Sequence, residues 1–201
     1  MFLPLMTGIG LSASSGLNAF LPLLIIGLID RIRDGEVLSD PYEFLSSMPG
    51  IVVLLALVTI ELLVDKSPFY RMNDVIQGVL RPASGALAFM AGTSETDLNT
   101  VVALIAGLVI AGIVHVAKGG FRLRLDPRIR KTIIPMISLI EDIYVATLAP
   151  IALLVPEAVP VVILPLIGAI IWTLRRKPLP DLPARSPAAP VDPTLEKPES
   201  A

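Results

Sequence analysis

Long apolar segments separated by short polar breaks are the feature of this sequence that most constrains its fold. Such segments can be drawn at about residues 8–29, 50–64, 75–93, 99–117, 133–155 and 158–174. A helix needs about 20 apolar residues to cross the hydrocarbon core of a bilayer. Apolar residues make up 54% of the chain, and its mean hydropathy is +0.77. The pattern predicts an all-α transmembrane helix bundle of about six spans, occupying residues 1–177.

The charged residues between these segments are sorted by sign. Three connections carry an excess of Lys and Arg: 65–73, 118–132 and the residues after 174. The connections that alternate with them are acidic: 30–49, 94–98 and 156–159. Because basic connections stay on the cytoplasmic side, both termini are predicted to be cytoplasmic, in the cytoplasmic (inner) membrane.

The C-terminal stretch has a different composition from the rest of the chain. Residues 178–201 contain seven prolines together with Ala, Ser, Asp and Glu. A segment of this composition cannot bury enough apolar surface to order itself. We therefore predict a disordered cytoplasmic tail, which either serves no further purpose or docks a partner.

The composition also excludes several kinds of site. The chain has no cysteine and one histidine, His115. Disulfides, thiolate chemistry and cysteine-ligated metals are therefore excluded, and neither a metal centre nor a cofactor is predicted. A net charge of −2 provides no broad basic surface, so nucleic acid is not an expected partner. The sequence contains no hydrolase, metalloprotease or nucleotide-binding motif.

Polar and ionisable residues within or next to the predicted spans are the candidate functional residues. A charge at membrane depth is costly unless it is paired or hydrated, so such residues usually serve a function. Glu61 and Asp65 are four residues apart and share one helix face. The candidates for binding a substrate or ion are Asn18, Glu61, Asp65, Lys66, Asp74, Arg81, His115, Ser138, Glu141 and Asp142.

With the predicted orientation, most of these residues fall in the cytoplasmic half of the bundle, where they would line a polar cavity. The alternative is that they pair with one another or reach toward the lipid headgroups. That alternative is preferred for the residues near helix ends: Asp65, Lys66 and Lys118. A functional role is preferred for Glu61, Arg81, Glu141 and Asp142. For His115, a proton relay and a helix–helix hydrogen bond both remain open.

Prolines inside the predicted spans free backbone carbonyls, which can then bind ions. The expected helix breaks are Pro22, Pro82 and Pro150. The alternative at each of these prolines is a simple kink in the helix axis.

Small residues recur at four-residue intervals in the first predicted span, at Gly8, Ser12 and Gly16. Without large side chains between them, two helix backbones can approach closely. The stripe therefore predicts that another helix packs tightly against this face.

An internal repeat is a further expectation. Residues 74–82 and 142–150 share the pattern Asp-x5-Leu-x-Pro. Helices two and three would then be a duplicate of helices four and five, as in many transporters. Chance matching between apolar helices is the alternative.

Four blocks of the sequence, taken together, resemble a known family. They are the run GIGLSASSGLNAFLPL from Gly8, ELLVDK from Glu61, RPASGA from Arg81, and Ser138-x-x-Glu141-Asp142. In this order, over about residues 8–155, they are similar to the bacterial membrane-protein family called domain of unknown function 4126. The resemblance implies a polytopic membrane protein and no activity. It emphasises Asn18, Glu61, Asp65, Lys66, Asp74, Arg81, Pro82, Glu141 and Asp142.

The leading functional hypothesis is a small transporter or permease for an ion or small charged solute. The first alternative is a non-transporting membrane scaffold or assembly factor. The second is a membrane-embedded enzyme acting on a lipid or lipid-linked phosphate, with Arg81 and Lys66 holding the headgroup. The expected partners are the lipid bilayer and a small ion or solute, and a homo-oligomer remains open.

Overall fold

The computed structural model describes residues 2–65 and 70–175, without the side chains of residues 70–74 and 127–131. The predicted tail and Lys66 therefore lie outside the described residues, as does the side chain of Asp74. The helices are α1 Phe2–Leu17, α2 Leu21–Ile32, α3 Met48–Asp65, α4 Tyr70–Gly92, α5 Thr100–Leu123, α6 Pro127–Leu154, α7 Val159–Val162 and α8 Leu164–Arg175, with 3-10 turns at Tyr42–Leu45 and Pro156–Ala158. Helices are the only regular secondary structure in this part of the chain, which confirms the all-α class.

Within the described residues, four stretches are long and apolar enough to cross a membrane: Met48–Asp65, Thr100–Leu123, Thr132–Leu154 and Pro156–Arg175. Six spans are therefore not confirmed. The helix α1 is apolar but has only 16 residues. The helix α4 contains Arg71, Asp74 and Arg81, which lower its hydropathy. Residues 133–141 belong to the Thr132–Leu154 stretch.

The first predicted span, residues 8–29, is not one helix. The helix α1 ends at Leu17 and α2 begins at Leu21, so residues 18–20 interrupt it. The side-chain oxygen of Asn18 accepts a hydrogen bond of 3.0 Å from the backbone N–H of Leu21. Pro22 lies in the first turn of α2, where a missing N–H costs nothing. The break expected near Pro22 is present, and it begins at Asn18.

The breaks expected at Pro82 and Pro150 are absent. Both residues lie inside helices, α4 and α6, which continue past them. A proline removes one intrahelical hydrogen bond, but neighbouring helices can hold the axis together in a membrane bundle.

The connection predicted at 118–132 is much shorter in the structure. Because α5 runs to Leu123 and α6 begins at Pro127, only residues 124–126 lie between them. Lys118 and Arg122 are therefore helical, and both are buried.

The helix α1 packs against α4, α5 and α6. Its small-residue stripe is confirmed as a contact face. The Ser12 hydroxyl donates to the Gly85 carbonyl of α4 at 2.9 Å. At Gly16, an added Cβ would lie 2.5 Å from Cβ of Val114 and 2.7 Å from the Ala111 carbonyl oxygen, so only glycine allows α5 this close.

The outer and inner surfaces reverse the polarity of a water-soluble protein. Large aliphatic side chains point outward, for example Val52, Leu63, Val79, Val109, Ile143 and Leu174. Charged side chains are buried instead, including Glu61, Asp65, Arg81, Lys118 and Arg122. Together with the long apolar helices, this arrangement is that of a membrane-embedded protein.

Candidate functional site

The interruption between α1 and α2 exposes two helix ends inside the bundle. At the N-terminus of α2, the Glu61 carboxylate of α3 accepts from the Ala19 N–H at 3.0 Å and from the Phe20 N–H at 3.3 Å. At the C-terminus of α1, the Lys118 ammonium donates to the Leu17 carbonyl at 2.8 Å. Each end therefore meets the charge that its helix dipole favours.

Asp65, at the end of α3, is the anion with the most charged partners. Its two oxygens accept from the Arg122 guanidinium at 3.2 and 3.0 Å. The Ser138 hydroxyl donates to Asp65 Oδ2 at 2.7 Å, and Lys118 Nζ donates to the same oxygen at 3.3 Å. A two-point arginine–carboxylate contact of this kind is strong and directional.

Glu141 of α6 links the two cations of α5. Its Oε2 lies 2.9 Å from both Lys118 Nζ and Arg122 Nη2. The Glu141 side chain is 14% exposed, while those of Lys118 and Arg122 are 2% and 3% exposed. Glu141 is therefore more accessible than either of its partners.

Arg81 extends the same cluster to the middle of α4. Its Nη2 donates to Glu61 Oε1 at 3.2 Å, and its Nη1 lies 3.3 Å from His115 Nδ1. Because a guanidinium has no acceptor, Nδ1 must accept, which leaves a neutral ring with its proton on Nε2. His115 thus makes a hydrogen bond between helices α5 and α4.

Asn18 connects the break to α6. Its Nδ2 donates to Asp142 Oδ1 at 3.3 Å, while its Oδ1 caps α2. One residue in the interruption therefore holds both the start of α2 and an acidic residue of α6.

These contacts form one buried cluster, which we call the charge network: Glu61, Asp65, Arg81, Lys118, Arg122 and Glu141. It contains three acidic and three basic side chains, so its formal charges balance. Balance matters here because an unpaired charge in a low-dielectric interior carries a large desolvation penalty.

Comparison with known proteins places the chain in a family. A family model described as "Domain of unknown function (DUF4126)" matches residues 5–176. The chain belongs to this family. The matched DUF4126 region contains the whole charge network and both sides of the α1–α2 interruption. No curated protein and no solved structure matched the chain.

The DUF4126 structure brings together most of the residues selected from the sequence. Those that meet at or beside the network are Asn18, Glu61, Asp65, Arg81, His115, Ser138, Glu141 and Asp142. Lys66 and the Asp74 side chain are outside the described residues. Asp65 and Lys118, for which pairing was preferred, are both paired.

Sequence reasoning missed Arg122, which it assigned to a cytoplasmic connection. A signal was nevertheless present, because Gly107, Ala111, Val114, Lys118 and Arg122 follow each other at helical spacing. All of them are buried on one face of α5. The small-residue stripe of α5 therefore leads directly to the two cations.

The network is closed in this structure. The side chains of Glu61 and Arg81 are each 1% exposed. A cavity of about 300 Å³ reaches Lys118 and Glu141, but its lining is almost entirely apolar. The described residues contain no group of three His, Asp or Glu that could hold a metal ion. The arrangement can bind an ion, a proton or a small charged group only after some of its pairs separate.

Proposed function

We propose that this protein is a small transporter or permease for an ion or small charged solute. The observation that carries the proposal is the interrupted helix α1–α2, whose two ends both contact the charge network. Discontinuous helices in transporters place half-helix ends at the substrate and coupling-ion sites, near the middle of the membrane. The proposed site therefore consists of the interruption and the network.

The energetics of the network support a functional role. Replacing buried ion pairs by well-packed apolar residues is often neutral or even stabilising. A chain that only had to fold would gain no stability by keeping six charges inside an apolar bundle. Buried ionisable groups in membrane proteins commonly belong to ion or proton pathways.

The contacts suggest how the site would work. Movement of α2 away from α3 would separate Glu61 from the Ala19 N–H, freeing the N-terminus of α2 and leaving the carboxylate paired with Arg81 alone. In the open state Arg81 would bind an anionic group or neutralise a carboxylate. Glu61 and the Glu141–Asp142 pair would take up a cation or proton. The present structure then corresponds to an occluded state.

The proposed orientation keeps both termini in the cytoplasm, in the cytoplasmic membrane. In the structure Lys118 and Arg122 belong to α5 and not to the connection that follows it. Four basic residues remain at 124–132: Arg124, Arg128, Arg130 and Lys131. The same stretch has one acidic residue, Asp126. The excess of basic residues that underlies the orientation is reduced but retained.

A flux assay in proteoliposomes tests the proposal. Purified protein would be assayed with H⁺, Na⁺, K⁺, chloride, phosphate and acetate. We expect one of these fluxes above the protein-free background, and its loss in both Glu61→Gln and Arg81→Ala. Glu95→Gln, at an exposed residue beyond α4, is the matched control and should retain the flux. Folded variants with unchanged fluxes would contradict the proposal.

A membrane scaffold is the second candidate, and the closed state of the network favours it. Asp65 faces three cations, Arg81, Lys118 and Arg122, and the network needs no ligand to balance its charge. A purely structural network would have this appearance. Affinity purification from native membranes in mild detergent should then recover a partner in fixed stoichiometry. Recovery of the protein alone would count against a scaffold.

A further inference from the structure

A groove lies between α5, α6 and α8, and Lys118 and Glu141 are among the residues that line it. Its volume is about 300 Å³. Ala117 of α5, Ile140 and Tyr144 of α6, and Leu166 and Ala169 of α8 contribute to its walls. A pocket of this volume is at the lower end of the range for small-molecule sites.

The groove opens onto the apolar outer surface. Ile140 and Ala169 at its walls are exposed, and the exposed Ile143, Ile167 and Ile171 lie near them in sequence on α6 and α8. This surface is continuous with the aliphatic exterior that faces lipid. The floor lies deeper, because Leu17 and Val114 also line the groove and are only 6% and 3% exposed.

We propose that this groove holds one hydrocarbon chain of a bilayer phospholipid. An unfilled groove would leave its apolar wall and floor atoms without van der Waals partners. Water is a poor occupant because an apolar cavity gives it too few hydrogen-bond partners. The bilayer supplies hydrocarbon chains directly at the opening.

The charge network argues against a charged occupant. Lys118 and Glu141 reach the groove wall, but they lie 2.9 Å from each other. A charged solute would have to compete with that pair and would itself lose its hydration. An uncharged chain needs no such exchange.

The bound chain would have a consequence for the network. It would cover the part of Glu141 that lines the groove and would keep water from Lys118. The lipid chain thus acts as the wall that completes the occlusion of the charges. This inference does not depend on the proposed transport function, since a scaffold with the same groove would bind the same chain.

Photocrosslinking tests the inference. The protein would be reconstituted in phosphatidylcholine vesicles containing a phosphatidylcholine with a diazirine in the middle of one chain, irradiated, and mapped by mass spectrometry. We expect adducts at the floor residues Leu17 or Val114, in addition to adducts on exposed residues such as Ile143. Lipids surrounding the protein cannot reach the floor unless a chain enters the groove.

Two variants separate groove binding from general lipid contact. Ala169→Trp places a large side chain in the groove and should lose the floor adducts while retaining those at Ile143. Ala146→Trp, on an exposed position of α6, is the matched control and should keep both. Ala117→Phe narrows the groove from α5 and provides a second blocking variant, should Ala169→Trp fail to fold.

Two results would overturn the inference. One is labelling of Ile143 without any adduct at Leu17 or Val114 in the unmodified protein. The other is floor labelling that persists in a folded blocking variant, since the chain would then reach these residues by another route.

Discussion

Two regions of the interior share the helices α4 and α5 but are held together by different forces. One is the contact of α1, α4 and α5 through small residues, which we call the seam: Ser12, Gly16, Gly85, Gly107 and Ala111. The other is the charge network. In the seam the backbones are so close that a Cβ added at Gly107 would lie 2.7 Å from Cα of Ala86. In the network long side chains span the distance between helices.

The difference indicates which part can move. Closely packed helices have one stable arrangement, because any displacement of one helix loses many van der Waals contacts at once. Ion pairs have alternatives, because each charged group can exchange its partner for water, an ion or another side chain. We therefore expect the seam to act as a rigid frame, while the network and the α1–α2 interruption change.

Asp65→Asn should produce the largest effect. Removing this charge leaves Arg122, Lys118 and Arg81 with an excess of buried positive charge, so we expect a loss of about 3–5 kcal/mol of stability. The measurement is thermal unfolding in detergent. Asp97→Asn, at an exposed residue, is the control and should leave Tm unchanged. An unchanged Tm for Asp65→Asn would show that the three buried cations do not need this carboxylate to balance their charge.

Gly85→Ala tests the seam with a single added carbon. The new Cβ would collide with Cβ of Ala111 and approach the Gly107 carbonyl oxygen to 3.0 Å. We expect a loss of about 1–3 kcal/mol from overpacking. Gly168→Ala is a matched control, because nothing lies within 4 Å of its added Cβ. If Gly85→Ala and Gly168→Ala have the same Tm, the helices at the seam have room for the added carbon.

A double-mutant cycle sharpens the distinction between buried and exposed charges. Removing Arg122 and Glu141 singly and together should reveal a coupling of about 0.5–3 kcal/mol, as expected for contacting residues. The Arg33–Glu36 pair has a contact of 3.4 Å, but its side chains are 48% and 68% exposed. Water screens it, and we expect about 0.5 kcal/mol or less. Equal coupling energies for the Arg122–Glu141 and Arg33–Glu36 pairs would show that burial does not strengthen these contacts.

Ser12→Ala should have the smallest effect. It removes the hydrogen bond to the Gly85 carbonyl across the seam, which is worth about 1 kcal/mol. Thr59→Ala removes a hydroxyl bonded to its own exposed helix turn and should be close to neutral. A Ser12 variant as stable as the Thr59 variant would mean that packing alone holds the seam.

The α1 side of the seam could be predicted from sequence because its determinant is local. Gly8, Ser12 and Gly16 lie at four-residue intervals, and such a stripe implies a close helix contact whatever the partner. The candidate acids were also visible, since Glu61 and Asp65 share a face and an apolar helix offers no other reason for them. The pairing of these charges was not visible, because it joins residues far apart in the chain.

The interruption of the first predicted span shows this limit most clearly. Asn18 and Pro22 permit a break, but the free N–H of Ala19 is satisfied by Glu61, 42 residues away. Without that carboxylate, an unbonded N–H inside the membrane would be costly. The break thus depends on a tertiary contact that local patterns do not encode. Arg122 was missed for a related reason, since a cation near a helix end is equally consistent with a cytoplasmic connection.

The central claim is that the interruption opens to water during a functional cycle, and thiol accessibility tests it without knowledge of the substrate. The chain has no cysteine, so Ala19→Cys provides a single reporter at a position that is fully buried here. Ala13→Cys, also fully buried in α1, reports general unfolding, and Thr100→Cys reports an exposed site.

The measurement is the rate of reaction with a charged, membrane-impermeant thiol reagent in intact and inverted membrane vesicles. Our account predicts that Ala19→Cys reacts from at least one side of the membrane, more slowly than Thr100→Cys, while Ala13→Cys stays unreactive. If Ala19→Cys is as unreactive as Ala13→Cys from both sides, the interruption never opens, and the transport proposal is contradicted.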